Sequence, residues 1–283
     1  VERAHSDASA SPITALGLRR TPASQQPAAH ADVVVLIDTS ASQSGEFRDR
    51  TSQTLAGLLE KARDTDRFLL AAVDVCCVPL TQTFEAARGK AAQSAVRSLN
   101  ARTPLGSTDM IAAINAAAEF FGDAPEPLAS TSRAIIYIGD GPGLAGIETA
   151  DFQQALEVLR SKRIPFSSVG IGSEVNWPCL AAIASATGGM LMVPDETVSA
   201  RDAGSVIGSL AIVPVTWPEN VMLSSEVAGA GLRMLPARLP PLRGDRDSIV
   251  LIKDLLKGDA LRCIWPIALL STPPPRPLRR AWN

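Results

Sequence analysis

An acid and two hydroxyls stand at fixed spacing in Asp38-Thr39-Ser40-Ala41-Ser42, a D-x-S-x-S run directly after the apolar stretch Val33-Val34-Val35-Leu36-Ile37. A second acid, Asp140, comes just after another apolar stretch, Ala134-Ile135-Ile136-Tyr137-Ile138. A further hydroxyl, Thr108, follows the loop Thr103-Pro104-Leu105-Gly106-Ser107. Carboxylate and hydroxyl oxygens suit a hard cation. Mg2+ takes six oxygens at about 2.0–2.1 Å, keeps several waters and uses only one or two carboxylates. Asp38 and Asp140 offer the charge, and Ser40, Ser42 and Thr108 offer neutral oxygens. Two carboxylates only neutralise a divalent ion, which leaves it able to accept one more anionic oxygen from outside.

Other chemistries are excluded by what the chain lacks. Its 283 residues include two histidines, His5 and His30, and none from Ala31 onward. A Ser-His-Asp triad, a Cys-His pair or a His-ligated zinc in the body therefore has no histidine to use. Cys76, Cys77, Cys179 and Cys263 show no C-x-x-C spacing and read as buried free thiols, with a Cys179–Cys263 disulfide left open. Lys plus Arg number 27 against 29 Asp plus Glu, so the basic excess of a nucleic-acid-binding domain is absent. No apolar run reaches the roughly 18 residues that cross a bilayer. Any membrane contact is therefore expected through segments outside this chain.

The elements that must position these groups follow from periodicity. The run 33–37 suits a strand buried on both faces of a parallel sheet. Phe47, Thr51, Leu55, Leu58, Leu59 and Ala62 make one helical face. Strands are expected at 68–75, 133–139, 166–171 and 190–193, with 78–84 as an antiparallel edge partner reached through a turn at Pro79. Helices are expected at 86–99, 108–121, 151–162, 178–187 and 199–210. This alternation predicts an α/β fold: an open, mostly parallel, doubly wound (Rossmann-like) sheet with helices on both faces and one antiparallel edge strand. Residues 1–30, rich in Ser, Ala and Pro, read as a flexible leader whose candidate strand is Ile13–Leu18. Residues 31–211 make the α/β domain, 212–271 a smaller β-rich extension, and 272–283 a Pro/Arg-rich tail. In open parallel sheets ligands bind beyond the carboxyl ends of the strands, where Asp38 and Asp140 both fall.

Taken together, Asp38-Thr39-Ser40-Ala41-Ser42, Gly106-Ser107-Thr108-Asp109 and Ile136-Tyr137-Ile138-Gly139-Asp140-Gly141 resemble the von Willebrand factor type A domain over about residues 31–211. They match the motif of that family's metal-ion-dependent adhesion site. The resemblance implies Asp38, Ser40, Ser42, Thr108 and Asp140 as metal-site residues, with Asp109 and Gly141 as candidates for the surrounding shell. It implies Mg2+, with Mn2+ or Ca2+ as alternatives, and a protein partner whose exposed Asp or Glu completes the metal's coordination. It implies no enzyme, no small-molecule substrate and no nucleic acid. The family often carries threonine directly before the last aspartate; Gly139 stands there in this chain and removes one hydroxyl.

Competing readings are weaker. Gly141-Pro142-Gly143-Leu144-Ala145-Gly146 has the G-x-G-x-x-G form of a dinucleotide loop, but Asp140 would repel the pyrophosphate. A haloacid-dehalogenase-type phosphotransferase needs an acid two residues after Asp38, where Ser40 stands. Ser107 is expected to cap the helix that follows, and Asp109 to sit favourably at its positive end. Arg243-Gly244-Asp245 matches an adhesion tripeptide that a turn between strands also explains, and Arg276, Arg279 and Arg280 read as a solvated tail. The expected function is metal-dependent adhesion or assembly, outside the cytoplasm or on a cell surface. The alternative is a partner subunit of an intracellular ATPase machine.

Overall fold

The computed structural model describes residues 13–20, 28–122, 131–142, 149–195, 197–218, 222–225, 233–253 and 261–264. Most of the leader, residues 143–146 of the glycine-rich loop, much of the extension and the Arg276, Arg279, Arg280 tail lie outside the described residues. The chain forms two compact units, Pro22–Val215 and a second made of Val1–Thr21 with Thr216–Asn283.

In chain order the elements begin with β1 (Ile13–Leu18), β2 (His30–Asp38), α1 (Glu46–Lys61), β3 (Arg67–Val73), β4 (Cys77–Pro79) and β5 (Glu85–Ala86). Then come α2 (Lys90–Ala101), α3 (Met110–Glu119), β6 (Thr131–Gly139), α4 (Ala150–Ser161) and β7 (Phe166–Gly170). The α/β part closes with α5 (Trp177–Thr187), β8 (Leu191–Met192) and α6 (Ala200–Ala211). Short strands follow: β9 (Val215–Thr216), β10 (Met222–Ser225), β11 (Arg233–Leu235), β12 (Leu242–Arg243), β13 (Ser248–Lys253) and β14 (Leu261–Ile264).

The central sheet of the larger unit has the order β4-β3-β2-β6-β7-β8, with β5 also on β3. β3, β2, β6, β7 and β8 are parallel, and β4 and β5 are antiparallel to β3. Each central strand is buried on both faces, which is why its sequence is a continuous apolar run rather than an alternating one. On one face Val34, Leu36, Ile135 and Tyr137 pack with residues of α3, α4 and α5. On the other Val33, Val35, Ile136 and Ile138 pack with α1, α2 and α6. The doubly wound architecture expected from the sequence is therefore the one observed.

The edge differs from expectation. In place of one strand over 78–84 there are two short pieces, and Pro79 lies in the first of them instead of a turn. Proline is tolerated there because β4 is at the sheet edge. Thr81 ends the ladder: its hydroxyl accepts from the Leu70 amide at 3.2 Å, while the Leu80 and Thr81 amides both turn to the Leu70 carbonyl.

Helices α1 and α6 meet backbone to backbone. A Cβ on Gly57 would lie 2.0 Å from the Arg201 carbonyl oxygen, and one on Gly204 would lie 1.9 Å from that of Thr54. The Thr54 hydroxyl donates to the Ala200 carbonyl at 3.0 Å and the Ser205 hydroxyl to the Gly57 carbonyl at 3.2 Å. Gly204→Ala is expected to destabilise the larger unit by roughly 1–3 kcal/mol or more, as overpacking against backbone does. Urea unfolding checks this, and an unchanged midpoint would contradict the close approach.

In the smaller unit β13 pairs antiparallel with β1 and β11, and β10 pairs with β14. Leu239, Val250 and Ile252 form its small core. Arg243 is fully buried there, and its Nε and Nη2 each donate to the Asp245 carboxylate at 2.8 Å. The Arg243-Gly244-Asp245 tripeptide is thus folded onto itself, with its arginine side chain buried.

Candidate functional site

Asp38 is the last residue of β2 and lies on the same sheet face as Leu36, beneath the loops that follow β2, β3 and β6. It is 2% exposed, so every oxygen needs a partner. Oδ1 accepts from the Ser40 amide at 2.8 Å. Oδ2 accepts from the Thr108 hydroxyl at 2.8 Å and from the Tyr137 hydroxyl. The Ser40 and Ser42 hydroxyls lie 3.0 Å apart. Hydrogen bonds thus gather the D-x-S-x-S loop and Thr108, 70 residues away in sequence, around one carboxylate.

The loops are fixed by backbone bonds between them. The Ala41 amide donates to the Gly106 carbonyl and the Leu105 amide to the Thr39 carbonyl, both at 3.0 Å. The Thr39 amide donates to Val73 at 2.7 Å, which pins the first loop to the end of β3. Gln43, buried, donates to the Ile171 carbonyl at 2.8 Å and ties the same loop to the far side of the site.

Asp140 follows β6 and is 8% exposed. Its carbonyl accepts from the Asn176 amide at 2.7 Å, and a Cβ on Gly172 would meet its Cβ at 2.5 Å. Burial pushes the Asp38 carboxyl up from 3.8 to about 6, against bonds from Ser40 and Tyr137 that lower it, and the charge of Asp140 adds to the rise. The two carboxylates are therefore close enough to repel in a partly dehydrated crevice. Among the described residues no group of three or more His, Cys, Asp or Glu side chains is placed to hold a metal ion.

The surrounding residues sort differently from the sequence expectation. Asp109, not Ser107, caps α3: its carboxylate accepts from the Ala112 amide at 2.9 Å, and Thr108 precedes the helix. The Asp109 amide donates to the Asp74 carbonyl at 2.9 Å. Gly141 does join the network, through its amide, which donates to the Tyr137 hydroxyl at 2.9 Å. Tyr137 is not marked by sequence as a site residue because it sits inside an apolar strand run. The available signal was its position two residues before Gly139, on the same strand face. Cys76 is exposed and Cys77 half-buried, in place of the burial expected for both. Cys179 is a buried free thiol, and the side chain of Cys263 lies outside what the structure describes.

Asp74, Thr39 and Arg102 brace the rim. Arg102 Nη2 reaches the Asp74 carboxylate at 2.7 Å and its Nε reaches the Thr39 hydroxyl at 3.2 Å. Burial opposes the Asp74 charge, but hydrogen bonds from Arg102, the Cys76 amide and Thr39 outweigh it and hold the carboxyl below its ordinary range. A carboxyl lowered on folding stabilises the fold above its unfolded pKa and loses that contribution as pH falls through the folded value. Arg102→Gln is therefore expected to flatten the acid side of the stability profile. Urea midpoints between about pH 3 and 6 check it, and a slope equal to that of the wild type would contradict the bracing.

A model of the von Willebrand factor type A domain matches residues 31–193. Among solved structures the fold is similar to a von Willebrand factor type A protein from Catenulispora acidiphila, with TM-score 0.57 and 14% identity over 84% of this chain. The match spans 62% of the length of that protein. It is also similar to the manganese-loaded TRAP protein of Plasmodium vivax, with TM-score 0.52, 16% identity and coverage of 70% of this chain and 76% of that one. A third similar structure is the ArnB paralog VWA2 of Sulfolobus acidocaldarius, with TM-score 0.50, 15% identity and coverage of 90% and 60%. No curated protein matches the chain by sequence.

Proposed function

The chain belongs to the von Willebrand factor type A domain family, and from that premise we propose that it is a protein-interaction module that holds a divalent cation at Asp38, Ser40, Ser42, Thr108 and Asp140. The observation that carries this reading is the meeting of two buried carboxylates and three hydroxyls where three loops cross the carboxyl edge of a parallel sheet. The donor set is all oxygen, which fits Mg2+ or Mn2+. That the TRAP protein of similar fold was solved with manganese supports the class of ion.

A cation held there would supply an electrophilic point for one anionic oxygen of a partner. The protein's own groups do the rest. Asp38 and Asp140 balance the charge of a divalent ion without exceeding it. Ser40, Ser42 and Thr108 would add only neutral oxygens and leave a position open, so an acidic side chain would be attracted rather than repelled. Burial strengthens that attraction over its value in bulk water. The partner class is therefore a protein with an exposed Asp or Glu.

A phage-displayed random peptide library, selected on the immobilised chain in Mn2+ and eluted with EDTA, tests this. Selected peptides are expected to share an Asp or Glu whose change to Asn or Gln abolishes binding. Peptides that bind equally well in EDTA would overturn the reading.

A further inference from the structure

Gly139 has no side chain, yet the site does not lack a hydroxyl at that place. Tyr137 and Gly139 project to the same face of β6, since side chains alternate along a strand. Two parallel-strand residues rise about 6.6 Å, a span that a tyrosine ring leaning along the strand covers. The Tyr137 hydroxyl accordingly reaches past Gly139. It donates to Asp38 Oδ2 and accepts from the Gly141 amide at 2.9 Å. The space it uses is the space a side chain at 139 would fill: a Cβ there would lie 2.6 Å from the Tyr137 hydroxyl oxygen and 2.7 Å from Asp38 Oδ2. Glycine at 139 and tyrosine at 137 are therefore one device.

The ring is fully buried and packed beside Phe166, with centroids 6.4 Å apart, so the hydroxyl cannot swing away from its partners. A polar atom this deep must be paired, and here both its donor and acceptor functions are used. It links the loop after β2, through Asp38, to the loop after β6, through Gly141. Thr108 shares the same Asp38 oxygen, so Oδ2 is held from two sides while Oδ1 is held by the Ser40 amide.

We propose that Tyr137 is a positioning residue of the cation site, orienting the Asp38 carboxylate from inside the core and coupling it to the Asp140-Gly141 loop through the Gly141 amide. The inference rests on the cation site proposed above. Groups that orient metal ligands from behind typically account for about 10–100-fold in metal affinity.

The experiment exploits a property of the sequence: Tyr137 is the chain's single tyrosine. The full chain labelled with ζ-13C tyrosine gives one resonance. Titration with Mg2+ is expected to move it along a saturating curve with the midpoint measured by calorimetry. Tyr137→Phe is expected to bind Mn2+ about 10–100-fold more weakly, while its melting temperature in EDTA stays within a few degrees of wild type. Asp38→Asn serves as the control without a site. If Tyr137→Phe binds Mn2+ as wild type does while Asp38→Asn does not, the tyrosine is merely structural and this inference fails alone. A resonance that stays still while Mg2+ binds overturns the positioning role in the same way, and does so by itself should Tyr137→Phe not fold. If the wild type binds neither ion, the cation site fails and the inference with it.

Discussion

Asp38→Asn is expected to melt above the wild type in EDTA at about pH 7.5, and to lose the rise in melting temperature that Mg2+ gives the wild type. Without a cation, Asp38 carries its charge in a buried place beside Asp140, and its carboxyl sits at about 6. Keeping it ionised at that pH costs the folded state about 3 kcal/mol relative to an ordinary carboxyl. Asparagine keeps the shape and accepts the Ser40 amide without that charge, at the smaller cost of an NH2 where Oδ2 accepted from Thr108 and Tyr137. The sign in pH follows. A carboxyl raised on folding favours the protonated folded state, so wild-type stability in EDTA falls as pH rises from about 4 to about 6, then levels. Asp38→Asn lacks that slope. Saturating Mg2+ at about 100 times Kd adds about 2.7 kcal/mol to the wild type. At roughly 2–4 °C per kcal/mol for a domain of this size, the melting temperature rises by about 5–10 °C. Thermal melts of both proteins, with EDTA and with Mg2+ at about pH 5 and about pH 7.5, check each part. A wild type indifferent to Mg2+ and a variant that melts lower in EDTA would together refute the assignment.

The second large effect is on binding. Asp140→Ala is expected to weaken peptide binding in Mn2+ by at least about 100-fold, the upper end of what outer-shell changes alone cost. The variant removes half of the negative charge that offsets a divalent ion. It is not expected to unfold the domain. Alanine keeps the Cβ against which Gly172 is packed, and the carbonyl that accepts the Asn176 amide is backbone. Removing a carboxylate that repels Asp38 further supports the metal-free fold. Fluorescence anisotropy of a selected acidic peptide, beside circular dichroism of the variant, separates the two expectations. Full binding by a folded Asp140→Ala would move the interaction to another face.

How much of this was legible in sequence depends on what each level encodes. The β2 run 33–37 and the acid that ends it were plain, because a strand buried on both faces must be apolar throughout and a charged residue must stop it. The order of helices and strands followed from the switch between the two periods. The cap of α3 was misplaced by two residues, since Ser107 and Asp109 both suit a cap and only the backbone decides which side chain meets the Ala112 amide. Periodicity makes the edge at β4 and β5 too long, because the Thr81 hydroxyl replaces a ladder bond and leaves no trace in hydrophobicity. Tyr137 was invisible for another reason. Its ring belongs to the core and its hydroxyl to the site, and periodicity registers only the ring.

The contact between α1 and α6 also has a mechanical meaning. α6 is the last helix of the larger unit, so load carried along the chain beyond Ala211 reaches it. Gly57 and Gly204 leave notches into which the Arg201 and Thr54 carbonyls fit. Ordinary helix pairs ride about 8–10 Å apart on side chains that can change rotamer and let ridges slip. Two interlocked backbones have no such give. To slide by one turn, α6 must first lift off α1 and break the bonds from Thr54 and Ser205 together. The pair is in that sense a toothed joint, built to resist sliding along the helices more than separation across them.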